Sequence, residues 1–99
     1  MTKQADITWD NDRFYLTGDL DFNNAMSIYE KSLSLFGSVK DIHIDGCKIQ
    51  SSNSVGLALI LELKKYALKY GKNFQVTNLP ESLISIAKAA GLTDLVISR

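Results

Sequence analysis

The chain has 99 residues, 45% hydrophobic and 22% charged, which are ordinary values for one folded domain. Eleven basic and eleven acidic residues give a net charge of zero, which argues against a nucleic-acid-binding surface because such a surface needs a concentrated basic excess. The single cysteine, Cys47, excludes an internal disulfide and fits a reducing compartment. The sequence starts without an apolar signal segment and contains no run of about 18 apolar residues, so we expect a cytoplasmic protein without membrane insertion.

The first third of the chain predicts a hairpin and a helix. Strand-like residues 7–9 and 14–17 flank the turn signal Asn11-Asp12, and residues 18–21 then break the pattern. Apolar residues recur at helical spacing from Asn23 or Asn24 until Gly37. The predicted core residues of this first helix are Ala25, Met26, Tyr29, Leu33 and Phe36.

The remaining elements alternate between strand and helix. Residues 39–45 predict a strand, residues 54–70 the longest helix, and residues 73–77 a half-buried strand. Pro80 suits the first turn of a third helix that Gly91 ends, and residues 95–97 predict an edge strand or a packed tail. The predicted core residues of the third helix are Leu83, Ile84, Ala87 and Ala90.

This order of elements, β-β-α-β-α-β-α, predicts an α/β fold with a mixed sheet. The opening hairpin supplies an antiparallel pair, and two right-handed β-α-β crossovers supply parallel pairs. With about three helices for four or five strands, we expect one face of the sheet to be less well covered than the other.

Catalytic chemistry finds little support in the sequence. The only histidine, His43, lies inside a predicted strand, where a structural role or an exposed sheet position is expected rather than that of a general base. Cys47 is expected to be a small buried residue after that strand, and the two residues are too few for a zinc site. Asp19 and Asp21 are interpreted as loop or capping residues. Since no GxxxxGK[ST] or GxGxxG loop occurs, we expect no catalytic residue, no metal and no cofactor.

A polar cluster at residues 51–54 stands before the longest helix. It contains three serines and Asn53, whereas capping the free N–H groups of a helix needs one or two such side chains. The surplus indicates an exposed polar loop that a partner contacts or a kinase modifies. We expect Ser54 to lie at or next to the N-cap.

The longest helix has a broad apolar face and a mixed one. A helical projection places Ser54, Ala58, Leu61, Glu62, Lys65 and Lys69 opposite the core, with Leu57 and Leu68 at the margin. We therefore expect Leu57, Ala58 and Leu61 to be accessible, and Leu59, Ile60 and Leu63 to be buried. Two interpretations of the accessible residues stay open, single exposed leucines of the ordinary kind and a small apolar docking patch with a polar edge.

Three motifs together resemble a STAS domain, the fold of anti-sigma factor antagonists and of sulfate-transporter cytoplasmic tails. They are residues 18–21, residues 53–58 and residues 90–92, and the resemblance covers nearly the whole chain. The family usually has Asp-Ser/Thr-x-Gly-Leu, whose Ser or Thr is often a phosphoacceptor. Ser54 matches that position and is a possible phosphoacceptor, while Asn53 replaces the usual Asp.

Residues 56–63 and 78–87 most resemble the small STAS subunit of Mla-type phospholipid ABC transporters. The resemblance implies a non-enzymatic subunit that docks on the cytoplasmic ATPase, regulates or stabilises it, and is peripheral to the inner membrane through that complex. The alternative is an anti-sigma factor antagonist that binds a kinase-type anti-sigma factor and is switched by serine phosphorylation, with an enzyme or nucleotide-binding module third. The predicted partner-binding residues are Asn53, Ser54, Leu57, Ala58, Leu61 and Lys65.

Overall fold

The structure, a computed structural model, describes residues 4–96. Its elements are β1 (Asp6–Asp10), β2 (Arg13–Leu20), α1 (Ala25–Phe36), β3 (Asp41–Ser52), α2 (Ser54–Lys69), β4 (Asn73–Thr77), α3 (Glu81–Ala89) and α4 (Thr93–Val96). This order confirms the predicted one up to α3. Of the two alternatives for residues 95–97, the edge strand was wrong, because Leu95 and Val96 belong to the short α4, which packs against α2 and α3. Ile97 lies outside the described residues.

The four strands form one mixed sheet in the order β1-β2-β3-β4. The β1–β2 pair is antiparallel, and the β2–β3 and β3–β4 pairs are parallel, as predicted. Because β2 and β3 are parallel, their carboxyl ends meet at one edge of the sheet, where Leu20 pairs with Ser52. Helices α1 and α2 both leave from this edge and run in the same direction.

The core lies on one face of the sheet. Along β2, Phe14 and Leu16 are buried whereas the intervening Tyr15 is half-buried. One face of β2 is therefore buried in the core and the other face is partly accessible to solvent. The buried strand residues form one cluster with the inner residues of α1, α2 and α3. The helices therefore share one face, which confirms that the opposite face is less well covered.

Strand β3 is longer than the sequence predicted. It continues through Ser51 and Ser52, which are therefore strand residues and not part of an exposed loop. Two register shifts let β2 and β3 remain paired past the irregular positions. Gly18 has a φ of +80° and stays within the ladder, so residues 18–20 belong to β2 and the predicted loop at residues 18–21 starts only at Asp21.

Asp45 is a buried carboxylate in the middle of β3. It accepts hydrogen bonds from Arg13 Nη1 at 2.7 Å, from the Cys47 backbone N–H at 2.9 Å and from Asn78 Nδ2 at 3.2 Å. Burial acts to raise its pKa, but these hydrogen bonds outweigh burial and lower the pKa from 3.8 to about 2. The charged carboxylate thus links the middle of β3 to Arg13 at the start of β2 and to Asn78 just after β4.

We expect Asp45 to make stability depend on pH in a defined window. Its pKa is lower in the folded state, so its contribution is complete above about pH 4 and disappears as the pH falls towards 2. The stability difference between wild type and Asp45→Asn should shrink by about 2 kcal/mol over that window. Urea unfolding of both proteins at several pH values between 7 and 2.5 measures this difference. Parallel loss of stability in both proteins would contradict the assignment.

Candidate functional site

The start of α2 is capped by Asn53. This residue has an extended backbone, with φ of −99° and ψ of −163°, and its Oδ1 accepts a hydrogen bond from the Val55 backbone N–H at 2.9 Å. Ser54 is the first helical residue, which confirms its predicted place next to the N-cap. It is exposed, and no hydrogen bond joins its hydroxyl to any residue that the structure describes.

The other two serines of the polar cluster have structural partners. Ser51 Oγ donates to Asp19 Oδ1 at 2.6 Å, and Ser52 Oγ donates to the Asn53 carbonyl at 2.8 Å. The Ser52 hydroxyl also occupies the space in which a Cβ on Gly56 would lie, so a larger residue at position 56 would force this hydroxyl to move. Of the three serines in the polar cluster, Ser54 is therefore the one whose hydroxyl has no hydrogen-bond partner among the described residues.

We expect alanine substitutions to separate the cap from the exposed serine. Asn53→Ala should lower the free energy of unfolding by about 1 kcal/mol because the Val55 N–H loses its acceptor. Ser54→Ala should change it by less than about 0.5 kcal/mol, the usual range for a surface substitution. Chemical denaturation of the two variants measures the difference. A larger loss from Ser54→Ala than from Asn53→Ala would show that the serine is the structural residue.

The segment between β2 and α1 lies at the same edge of the sheet as Ser54. Asp21 accepts hydrogen bonds from the backbone N–H groups of Asn23 at 2.8 Å and Asn24 at 3.1 Å. The Asn24 side chain donates a hydrogen bond to the Asp19 carbonyl at 2.8 Å and accepts a hydrogen bond from the Asp21 backbone N–H at 3.0 Å. Asp21 therefore stabilises the turn before α1, as a loop residue, whereas the N-cap of α1 is Asn24, which makes no side-chain capping hydrogen bond. This turn leaves Phe22 76% exposed.

The predicted faces of α2 are confirmed at the core and corrected at the margin. Leu59, Ile60 and Leu63 are buried, and Ala58 is exposed, as predicted. Leu57 was wrongly predicted to be accessible: it is 4% exposed and belongs to the core cluster. The reason is that α2 is packed on both sides, by α1 and by α3, so a residue at the margin of the helical face is covered. Leu61 is half-buried against the core.

Three other predictions of burial were also wrong. Met26, placed in the core by helical spacing, is 66% exposed. Ala90, at the end of the third helix, and Cys47 are exposed as well. Phe22, four residues before Met26, is exposed too and lies in the turn that precedes α1. Phe22 was not identified from the sequence as an exposed apolar residue. Its position among the polar residues of segment 21–24 was a signal that could have identified it.

Met26 and the half-buried Leu61 each line a depression together with the exposed Ala58, and Ser54 lies one helical turn before Ala58 on α2. We call these four residues the α2 docking surface: Met26, Ser54, Ala58 and Leu61. A depression of about 250 Å³ between α1 and α2 lies beside Ala58, with Met26, Tyr29 and Val55 among its lining residues. Lys65 lies further along α2, exposed and 3.2 Å from Glu62. Apolar area with a polar edge is the usual composition of a protein-binding surface.

The candidate catalytic side chains have structural surroundings instead. His43 Nε2 and Thr77 Oγ1 are 2.7 Å apart, and burial, followed by the charge of Arg13, lowers the pKa of His43. Partial burial and the Asp45 carboxylate raise the pKa of the Cys47 thiol, which disfavours the thiolate. Within residues 4–96, no three His, Cys, Asp or Glu side chains are grouped to hold a metal ion.

Comparison with known proteins identifies the family. The family model described as the MlaB STAS domain matches residues 4–97, so the chain belongs to the STAS domain family. A search of curated protein sequences found no match. None of the helices in the described part of the chain is long and apolar enough to cross a membrane.

Two solved structures show the same fold. The structure of the anti-sigma factor antagonist SpoIIAA in its unphosphorylated form is 15% identical with a TM-score of 0.74, over 96% of this chain and 86% of that chain. A chain of the Acinetobacter MlaFEDB complex in an ATP-bound Vtrans1 conformation is 21% identical with a TM-score of 0.68, over 83% of this chain and 87% of that chain. The predicted STAS-like mixed sheet is thereby confirmed.

Proposed function

We propose that the protein is a non-enzymatic docking subunit that binds the ATPase of a phospholipid ABC transporter of the Mla type and regulates or stabilises it. The observation that carries the proposal is the α2 docking surface, an exposed apolar area beside a hydroxyl without a partner in the described structure. The match to the MlaB STAS model and the likeness to a chain of the MlaFEDB complex support the choice of partner. Such a complex would hold the domain at the cytoplasmic side of the inner membrane.

The proposed contact residues are those that the structure leaves accessible at this surface. Asn53, Ser54, Ala58, Leu61 and Lys65 are exposed or half-buried and lie on the outer side of α2 or at its start. Leu57 is a packing residue beneath them, since it is 4% exposed. Binding would change the ATPase activity only by favouring one conformation of the ATPase over another.

Co-expression tests the choice of partner directly. The tagged domain is produced with the Mla-type ATPase of the same genome and, separately, with a kinase-type anti-sigma factor. We expect the ATPase to co-purify in a stoichiometric complex, and Ala58→Asp to abolish this without unfolding the domain. If the ATPase stays in the flow-through at micromolar concentrations, the proposed function is wrong.

An anti-sigma factor antagonist is the second candidate. The accessible Ser54 hydroxyl, at the position of the family phosphoacceptor, and the likeness to SpoIIAA favour it. Co-purification with the anti-sigma factor in the same experiment, with transfer of phosphate to Ser54 detected by mass spectrometry, would support this candidate. The Oδ1 atom of Asn53 caps α2. A kinase that binds this site would therefore contact an amide at the position where the family usually has a carboxylate.

A further inference from the structure

The α2 docking surface continues into a groove between the two parallel helices. The depression beside Ala58 is followed along α2 by a second one of about 330 Å³, whose lining includes Leu33, Tyr66 and Tyr70. Tyr29 lines both depressions, so they are neighbours along the line between the two helices, and we call the pair the α1–α2 groove. The groove follows α2 from Ala58 to Tyr70, the residue after the end of the helix. These positions are twelve steps apart along the chain, about 18 Å at 1.5 Å per step.

The groove has apolar and aromatic walls without a cover in the described structure. Met26 and Tyr70 are exposed at its two ends, and Tyr29 and Leu33 are half-buried between them. Two parallel helices with an unfilled seam offer the ridges and grooves against which a third helix packs. A length of about 18 Å corresponds to about three helical turns.

Charge along the groove is asymmetric. Glu62 lines the first depression, in which no lysine takes part, whereas Lys65 and Lys69 line the second. Glu62 and Lys65 form an ion pair 3.2 Å long in which both side chains are exposed. Exposed ion pairs are weak, so charged groups of a partner can replace this one. Lys69 Nζ lies 5.6 Å from the centre of the Tyr70 ring, so a cation stands directly over the aromatic end.

We propose that the α1–α2 groove binds an amphipathic helix of about three turns from the ATPase partner. The helix would direct apolar side chains at spacings of three and four residues towards Met26, Tyr29 and Tyr70, a basic side chain towards Glu62 and acidic side chains towards Lys65 and Lys69. A helix in a groove is a common mode of recognition by helical surfaces. This inference rests on the proposed function and adds the form and charge of the partner element.

Photo-crosslinking and charge reversal test the groove. A benzoylphenylalanine at Tyr29 should crosslink to one segment of the purified ATPase subunit, and the same group at Gln75, exposed on β4, should not. Lys69→Glu should weaken binding about tenfold, and Lys88→Glu, a matched exposed lysine in α3, less than twofold. A second substitution, in which an acidic residue of the crosslinked ATPase helix is changed to lysine, should restore the binding that Lys69→Glu weakens.

The outcomes separate this inference from the proposed function. A crosslink at Tyr29 within an amphipathic ATPase helix, together with restoration by the charge swap, supports the groove. If the ATPase co-purifies but Tyr29 gives no crosslink and Lys69→Glu binds like wild type, the groove is empty in the complex and only this inference fails. If the ATPase does not co-purify at all, both fail.

Discussion

Leu63→Asp should unfold the domain, whereas Ala58→Asp, five residues earlier on the same helix, should leave it folded and unable to bind its partner. Leu63 is 0% exposed and lies within the core cluster, while Ala58 is exposed at the α2 docking surface. Losing a buried leucine costs about 2–5 kcal/mol, and an unpaired buried charge adds to this cost. The sum approaches the total stability of a typical domain, about 5–15 kcal/mol.

Thermal melting by circular dichroism, with partner binding as a second readout, distinguishes the two variants. Leu61 is half-buried, so Leu61→Asp should fall between them, with a lower melting temperature and weaker binding. Equal destabilisation by Leu63→Asp and Ala58→Asp would contradict the faces that the structure gives to α2.

Gly18→Ala should be among the most damaging changes of a single methyl group. Gly18 has a φ of +80°, and a Cβ there would lie 2.7 Å from the Gln4 carbonyl carbon and 2.9 Å from the Ala5 Cα. Both neighbours are backbone atoms of the segment that leads into β1, so they cannot move aside as a flexible side chain would. Backbone strain of about 1–2 kcal/mol and overpacking of about 1–3 kcal/mol should act together.

Gly71→Ala is the matched control for Gly18→Ala. Gly71 has a φ of +66°, but a Cβ there meets nothing within 4 Å, so it should lose only the strain, about 1 kcal/mol. Urea unfolding of the two variants gives the comparison. If both lose the same free energy, the close approach at Gly18 is not a determinant of stability.

The sequence predicted the elements best where spacing and turn residues agree. The range predicted for β4 was correct, and α2 and α3 stop before Gly71 and Gly91, both with positive φ. The extension of β3 through Ser52 was not predictable, since it depends on pairing with a β2 strand whose bulges no local pattern reveals.

The candidate site was only partly predictable from the sequence. The polar cluster and the motif led to Ser54, because both are local features of the chain. Helical projection misplaced Leu57 and Met26, since the burial of a residue at the margin of a helix depends on which neighbouring helices cover it. Met26 and Ala58 line one depression because β2 and β3 are parallel, so the helices that follow their carboxyl ends start at the same edge of the sheet.

The affinity of Ser54 variants for the co-purifying partner tests most directly the claim that the start of α2 is the docking site. Ser54→Glu places a charged, strongly hydrated group among apolar side chains, but a helix N-terminus accepts a negative charge, so the fold should be preserved. We predict that Ser54→Glu and Ser54→Asp melt within a few degrees of wild type and bind at least about tenfold more weakly, while Ser54→Ala binds like wild type. Acidic variants that bind as tightly as wild type would show that the interface lies elsewhere.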